Sequence, residues 1–345
     1  MIYQPLLDRC PHISTEGMNF DEWLDKRREA IGGSDAGAVM GMNPHSSPWM
    51  LYREKKNMVP KKEMGRAARR GKRLEPYIRE ETQTYFPELE IAQVPYMFTD
   101  PEYPFMAANI DGVILAKTPV EIRGQTIEGL GGHEIKSART GYGWTGDEIP
   151  DAYYCQVQHY MRVTGLSWFL VSVCILDDDE SLYHYVIFRD EIFITRLIEA
   201  EKNFWGNNVE KNVMPAPFGI DNEDDMITGE FEGVEGKITL GKEEIALCAE
   251  HVELNKTIKE LEKRKDAIAV MLKDAIVNVG KVNPEKTEKP SEKKASAQAG
   301  NYSIKWSRYP RSSVDSDAIK RDGLYEKYKK TSESGRFEIK KGGIR

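Results

Sequence analysis

Asp111, Glu134 and Lys136 are the residues of this sequence whose types and spacing suit hydrolysis of a phosphodiester. FMAANIDGVIL, residues 105–115, reads as a strand with Asp111 at or near its end, beside Gly112. EGLGGHEIKSA, residues 128–138, reads as a second strand in which Glu134 and Lys136 alternate across Ile135. Residues two apart in a strand point to the same side, so Glu134 and Lys136 share a face, and Asp111 meets them if the strands are neighbours. Two carboxylates supply hard oxygen ligands for Mg²⁺, which takes one or two of them and keeps several waters. Such a cation makes water more acidic and neutralises charge at the phosphate. A lysine beside it can orient the water or stabilise developing charge. By spacing alone the pattern is weak, because an E-x-K on a strand is also an ordinary surface ion pair.

The neighbouring segments add weight. Arg27–Arg28–Glu29–Ala30–Ile31–Gly32–Gly33–Ser34–Asp35 ends in a Gly-Gly turn and a Ser-Asp pair before the apolar AGAVMGM, which is the start of a capped helix. Free N–H groups there can hold a phosphate, with Arg27 or Arg28 as counter-charge; the plain alternative is an ordinary cap. Arg70–Gly71–Lys72–Arg73–Leu74–Glu75–Pro76 continues into a helix, where Glu75 is either a third acid near the metal or an exposed residue. Residues 61–73 hold seven basic residues and one acid, which suits contact with a nucleic-acid backbone or a solvated helix face. In YYCQVQHYM, residues 153–161, Gln156 and Tyr160 lie four apart and share a helix face.

The elements that must position these groups follow from periodicity. Helices are predicted over 20–30, 34–41, 48–57, 65–86, 151–164 and 190–206, and strands over 91–98, 105–116, 126–137, 168–176 and 182–189. Helices, then a run of strands, a crossing helix and more strand make an α/β core with a mixed sheet.

Together and in this order, RREAIGGSDAGAVMGMNP, RGKRLEP, FMAANIDGVI, HEIKSA and YYCQVQHYM closely resemble the YqaJ-like viral recombinase family, phage and prophage exonucleases similar to lambda exonuclease within the PD-(D/E)xK nuclease superfamily. The resemblance spans about residues 20–165, and the segments YSIKWSRYPRSSVD and YEKYKKTSESGRFEIK also look like the C-terminal region of some phage members. It implies a restriction-endonuclease-like α/β core with a mixed central sheet flanked by helices, here followed by a helical C-terminal extension and a small β module. Asp111 and Glu134 would be metal ligands, with the Ile135 carbonyl as a further candidate, and Lys136 the catalytic lysine. Glu75 would be the acidic helix residue beside the metal. Gln156 and Tyr160 match a Gln-x-x-x-Tyr helix of the superfamily, with Gln158 as a second candidate. Arg27 and Ser34 correspond to the pair that receives a terminal 5′-phosphate, and Arg28, Arg70, Lys72 and Arg73 are further DNA contacts. The implied activity is a Mg²⁺-dependent 5′-to-3′ exonuclease on double-stranded DNA ends, with Mn²⁺ as a substitute and a single-strand annealing recombinase as partner. Family members of this kind form a ring-shaped trimer, so a homo-oligomer is implied, but the extension over 242–345 departs from their pattern. The alternatives are a related nuclease acting on single-stranded or internal DNA sites, and a non-catalytic DNA-binding or scaffold protein.

Composition narrows the classes from the other side. The 345 residues carry a formal net charge of −7, which argues against a sequence-independent nucleic-acid coat protein but not against a local basic groove. The acidic excess lies within residues 1–217. No run approaches the roughly 18 apolar residues of a membrane span, and the N-terminus lacks the pattern of a secretory signal, so a cytoplasmic setting in a bacterial or prophage-carrying host is expected. Cys10, Cys155, Cys174 and Cys248 are far apart and suggest neither a disulfide framework nor a cysteine zinc site. The six histidines show no HxxxH or HxH pair, so a histidine metal centre is not expected. Trp23, Trp49 and Trp144 suit packing or, alternatively, base stacking, with Trp144 in a Gly-rich loop after the active-site strand where substrate contact is the sharper reading. Four segments are expected: a nuclease domain over 1–217, a connector and heptad-patterned helix over 218–280, a flexible linker over 281–300 and a small module over 301–345. Leu247, Leu254, Leu261, Ile268 and Ala275 recur every seven residues, with His251 and Lys265 interrupting the second row, a pattern of packing or oligomerisation rather than chemistry.

Overall fold

The computed structural model describes residues 1–60, 64–144, 146–179, 181–230, 238–282, 294–307 and 316–329. The chain divides into two units, Met1–Val234 and Glu235–Arg345. The first begins with α1 (Gln4–Arg9), β1 (His12–Ser14), α2 (Phe20–Arg28), β2 (Ile31–Gly32), α3 (Gly33–Val39), α4 (Pro48–Lys55) and α5 (Arg66–Tyr85). There follow β3 (Leu89–Ala92), β4 (Tyr96–Thr99), β5 (Met106–Ala108), β6 (Gly112–Ile122), β7 (Gln125–Ala138), α6 (Asp151–Thr164), β8 (Trp168–Ile175), β9 (Ser181–Phe188), α7 (Glu191–Asn203) and α8 (Asp221–Gly229).

The main sheet has the order β3-β6-β7-β8-β9. β7 and β8 are parallel and every other pair is antiparallel, so α6 is the crossover that a parallel pair requires. Its left-handed end at Gly165 (φ 68°) turns the chain back into β8. β8 is buried at every residue, which explains its near-continuous apolar sequence, WFLVSVCI. The largest cluster of buried side chains gathers Phe98, Met106, Val113, Val157, Met161, Phe169 and Val171 between this sheet, α6 and the segment before β6. The α/β class with a mixed central sheet flanked by helices is therefore what the structure has.

Two predicted strands are each divided. The stretch 91–98 splits into β3 and β4, and 105–116 splits into β5 and β6, because the chain leaves one sheet and enters another at 93–95 and at 109–111. The second sheet, β1-β4-β5-β2, was not foreseen; its strands are only two to four residues long and too short to show a period. Strand pairing sets Gly112 opposite His133, so the break at 109–111 brings Asp111 beside Glu134 and Ile135.

The first unit runs past 217, the expected end of the nuclease domain. Glu223 of α8 is almost fully buried and accepts hydrogen bonds from Ser47 Oγ, from Gly219 N–H at 2.6 Å and from Ile220 N–H at 3.2 Å. Arg53 pairs with Glu230. A carboxylate is buried only with such partners, so α8 belongs with α4 despite the loop-like composition before it.

In the second unit, α9 (Lys242–Val282) is a 41-residue helix, followed by an antiparallel hairpin of β10 (Lys294–Ala299) and β11 (Tyr302–Ser307), then α10 (Ser316–Arg321) and α11 (Tyr325–Tyr328). Lys273 stands over the Trp306 ring at 5.9 Å. Leu247, Leu254, Leu261 and Ile268 of the heptad row are exposed. Of the expected linker, 283–293 lie outside the described residues, while Lys294–Ala299 pair in full register with β11 rather than forming a linker. Alternating small and polar residues, KASAQA, suit a two-stranded ribbon although they read as low-complexity sequence. The predicted strand RFEIKK also lies outside the described residues. Among the described residues no helix is long and apolar enough to cross a membrane.

Candidate active site

One cavity of about 260 Å³ collects most of the residues singled out by sequence: Arg27, Ser34, Glu75, Asp111, Glu134, Ile135, Lys136, Gln156 and Tyr160. They come from five elements and the break before β6, which the sheet register and the α6 crossover draw together. Asp111 Oδ2 accepts a hydrogen bond from Ile135 N–H at 2.8 Å, which fixes the break before β6 against β7. Glu134, 2% exposed, accepts at Oε1 from Lys136 Nζ at 2.7 Å and from Gln156 Nε2 at 2.8 Å. Its Oε2 is buried without a hydrogen-bond partner.

Gln156 is the hub of the polar contacts. Its Oε1 accepts from Lys136 Nζ at 3.0 Å, and its Nε2 also donates to the Tyr160 hydroxyl at 2.9 Å. The ring of Tyr160 lies against Gly33, where an added Cβ would stand 2.3 Å from Tyr160 Cε1. Only a glycine permits that approach. Lys136 Nζ also stands 4.6 Å from the centre of the Tyr153 ring, on which Trp144 packs at 5.5 Å. Trp144 is buried and thus packs behind the ring on which the lysine rests.

The electrostatics are those of crowded acids. Burial, and then the charge of Asp111, push the Glu134 carboxyl well above its ordinary range. Burial raises Asp111 as well, against the pull of Lys136. Glu75 is raised to about 7 by burial first and Asp111 second. Burial alone would lower Lys136, but Glu134 and Asp111 outweigh it, so its ammonium is held charged. That charge suits lysine to stabilising negative charge rather than to accepting a proton. Among the described residues no three His, Cys, Asp or Glu side chains form a ready-made metal cage. The donor set nevertheless fits Mg²⁺: two carboxylates, one with a partnerless buried oxygen, suffice for an ion that fills its remaining positions with water and substrate oxygens.

Across the cavity, Arg27 Nη2 donates to Ser34 Oγ at 2.5 Å and to Asp35 Oδ1 at 3.1 Å, and its guanidinium covers the Trp23 ring at 4.9 Å. Trp23 Nε1 donates to Asn109 Oδ1 at 2.8 Å, tying α2 to the chain beside Asp111. A second groove of about 910 Å³ adjoins the cavity and shares Trp23, Arg27, Glu75, Asn109 and Asp111 with it. Of the three candidate tryptophans, Trp23 alone reaches open space, whereas Trp49 is buried under Arg53.

Several candidates part company. Arg28 points away from the cavity and donates to Asn57 Oδ1 at 2.6 Å, since adjacent residues on a helix diverge by about 100°. Gln158 is fully buried on the far side of α6, donating to the Phe188 carbonyl at 2.8 Å and accepting from Asp190 N–H at 3.0 Å. It fastens the helix to the end of β9 and has no access to DNA. The basic stretch on α5 is divided by the helix: Lys72 lines the groove with Glu75 and Arg79, while Arg70 and Arg73 join Arg66 and Arg69 on a separate exposed face. Residues 61–63 of that stretch lie outside the described residues. Three of the six histidines serve the interior. His133 contacts Ser172 Oγ at 2.9 Å, which contacts His184 at 3.0 Å, and His159 pairs with Glu201 at 2.8 Å.

Sequence reasoning missed Asp35 as a partner of Arg27, and missed Lys55, Arg79 and Tyr153 altogether. Arg79 Nη2 donates to the Asp111 carbonyl at 3.2 Å. Tyr153 could have been found, being three residues before Gln156 on the same helix face. Lys55 and Arg79 carry no such signal, since each stands in a run of charged helix residues like any other.

Residues 22–167 match the model of the YqaJ-like viral recombinase domain. The chain is 27% identical over 335 residues to the uncharacterized protein YqaJ of Bacillus subtilis (strain 168), covering 94% of this chain and 95% of that protein. Among solved structures it is similar to the alkaline exonuclease LHK-Exo from Laribacter hongkongensis, at 20% identity and a TM-score of 0.43 over 61% of this chain and 99% of that one. It is also similar to a phage related exonuclease from Haemophilus somnus 129PT, at 12% identity and a TM-score of 0.38 over 55% of this chain and 99% of that one.

Proposed function

We propose that this chain, which carries a YqaJ-like viral recombinase domain over residues 22–167, is a Mg²⁺-dependent 5′-to-3′ exonuclease acting on double-stranded DNA ends in phage or prophage recombination. The observation that carries the reading is a single cavity in which the Asp111–Glu134–Lys136 set faces the Arg27–Ser34 pair. One side suits the scissile phosphate and the other a terminal phosphate, so a strand end would be gripped while the bond beside it is cut. Asp111 and Glu134 would hold the cation, with the Ile135 carbonyl as a third oxygen. When bound, a divalent cation, Mg²⁺ or Mn²⁺, supplies Lewis acidity toward water and phosphate.

The chain's own groups do the rest. Lys136, kept cationic by its acidic neighbours, stabilises charge on the phosphate. Gln156 fixes both Glu134 and Lys136, and Tyr160 fixes Gln156. Glu75, which lines the cavity beside Asp111, would stand next to the cation and is placed to exchange a proton with the attacking water or the leaving group. Lys72 and the arginine face of α5 would follow the DNA backbone on two sides of the helix. A single-strand annealing recombinase and further copies of this chain are the partners that the resemblance brings with it.

Strand-resolved mapping of an end-labelled linear duplex tests the reading. Removal of mononucleotides from the 5′-ended strand, faster with a 5′-phosphate and absent on a covalently closed circle, is expected. Cleavage of the closed circle would favour the related reading of a nuclease for internal sites.

A further inference from the structure

Lys55 is a cation with 1% of its side chain exposed, and it touches neither the acidic set nor the cavity. Its Nζ donates to Asp35 Oδ2 at 2.7 Å and to the Arg27 carbonyl at 2.8 Å. Asp35 Oδ2 also accepts from Gly32 N–H at 3.0 Å, and Asp35 Oδ1 faces Arg27 Nη2 at 3.1 Å. One buried carboxylate is therefore shared by two cations, and the cluster carries one net positive charge. Of its three members only Arg27 lines the cavity.

We infer that Lys55 is a positioning and charge-balancing residue: by neutralising Asp35 from behind, it leaves the Arg27 charge free for a terminal phosphate while Asp35 aims the guanidinium. This rests on the reading of the Arg27–Ser34 corner as the seat of that phosphate. The physical argument is the charge count. A guanidinium closed on its own carboxylate offers an anion little net attraction, whereas one whose carboxylate is already matched by a buried ammonium offers a full charge. The ionised state of Asp35, held down to about 2 against the effect of burial by Lys55 first and Arg27 second, agrees with this count.

The test is a charge series on the full chain. The readout is kcat/KM on 5′-phosphorylated linear duplex divided by that on the same duplex with a 5′-hydroxyl. Lys55→Met takes the cluster to zero net charge and is expected to lower the ratio roughly tenfold, the size of one lost charge-assisted contact. Lys55→Met combined with Asp35→Asn restores one positive charge and should recover most of the ratio, although it carries more substitutions. Asp35→Asn alone takes the cluster to two positive charges and should strengthen inhibition by inorganic phosphate. A purely structural role predicts that the double variant is no better than Lys55→Met, and that result overturns the inference. Should Lys55→Met not fold, weaker phosphate inhibition in Asp35→Asn overturns it instead. A ratio of one in the unmodified protein overturns the phosphate reading itself, and this inference with it.

Discussion

On one wall of the cavity Glu134, Asp111 and Glu75 crowd three carboxyls around the Lys136 ammonium, with Arg79 and Lys72 farther out; behind the other, which Arg27 lines, a single carboxylate, Asp35, is shared by two cations. The consequences for protonation are opposite. Burial acts on both walls and raises any carboxyl. On the basic wall two cations and a backbone N–H overcome it, and Asp35 falls to about 2. On the acidic wall each acid adds to its neighbour's difficulty, and Glu75 rises to about 7. On the basic wall the Asp35 carboxylate is matched within the protein, by Lys55 and Arg27. The acidic wall holds its carboxyls above their ordinary range, and it is the wall on which the proposed cation would sit. The two are joined by one contact path, from Gly33 through the Tyr160 ring and hydroxyl to Gln156, and thence to Glu134 and Lys136.

The largest effect should come from removing the ammonium that pairs with Glu134. Lys136→Ala is expected to lower kcat on linear duplex by roughly 10²–10⁴-fold while DNA binding, read by filter retention or anisotropy, largely survives. Activity within a few-fold of the unmodified protein would remove Lys136 from the site.

Next comes the path between the walls. Gly33→Ala puts a methyl into the Tyr160 ring, so Tyr160 and with it Gln156 must shift. Loss of about 1–3 kcal/mol of stability in denaturant unfolding is expected, with lower activity on 5′-phosphate and 5′-hydroxyl ends alike. A loss confined to phosphorylated ends would mean that the walls are not coupled in this way.

The smallest effect is on stability against pH. Glu75 has a folded-state pKa raised from 4.5 to about 7, so the folded chain holds that proton more tightly than the unfolded one. Its contribution is present at low pH and lost as pH climbs through that window. In chelator-treated protein, Glu75→Gln should therefore melt progressively higher than the unmodified chain as pH rises from about 5 to about 8. A difference that does not change with pH would show that the crowding of acids is relieved without a cation.

Parts of this were legible before folding. The helix of residues 151–164 and the strand of residues 168–175 were readable because length and apolar periodicity agree there. The acidic set was readable because alternation in a strand puts Glu134 and Lys136 on one side. The breaks within 91–98 and 105–116 were not readable, since a strand that changes sheets keeps its alternation and its β-branched and aromatic residues. The boundary at 217 follows from composition, because the acidic, Asn- and Asp-rich segment after it looks solvated until a buried partner such as Ser47 appears. Gln158 looked equivalent to Gln156, and only the surroundings of α6 distinguish the face on the cavity from the face on β9.

The sequence by itself determined which residue types were to hand and which lay on the same face of their own element, because strand and helix periods are local geometry. That set Glu134 beside Lys136 and Gln156 beside Tyr160, while the choice of these residues and of Asp111 as a site came from the family resemblance. Only the tertiary structure decided what stood between elements: that Arg27 rather than Arg28 enters the cavity, that Lys55 backs Asp35, and that Arg70 and Lys72 face different spaces. The reason is that charge acts through space. Whether a carboxylate is shared, crowded or matched depends on distances of about 3 Å between segments tens of residues apart, and no period along the chain records them.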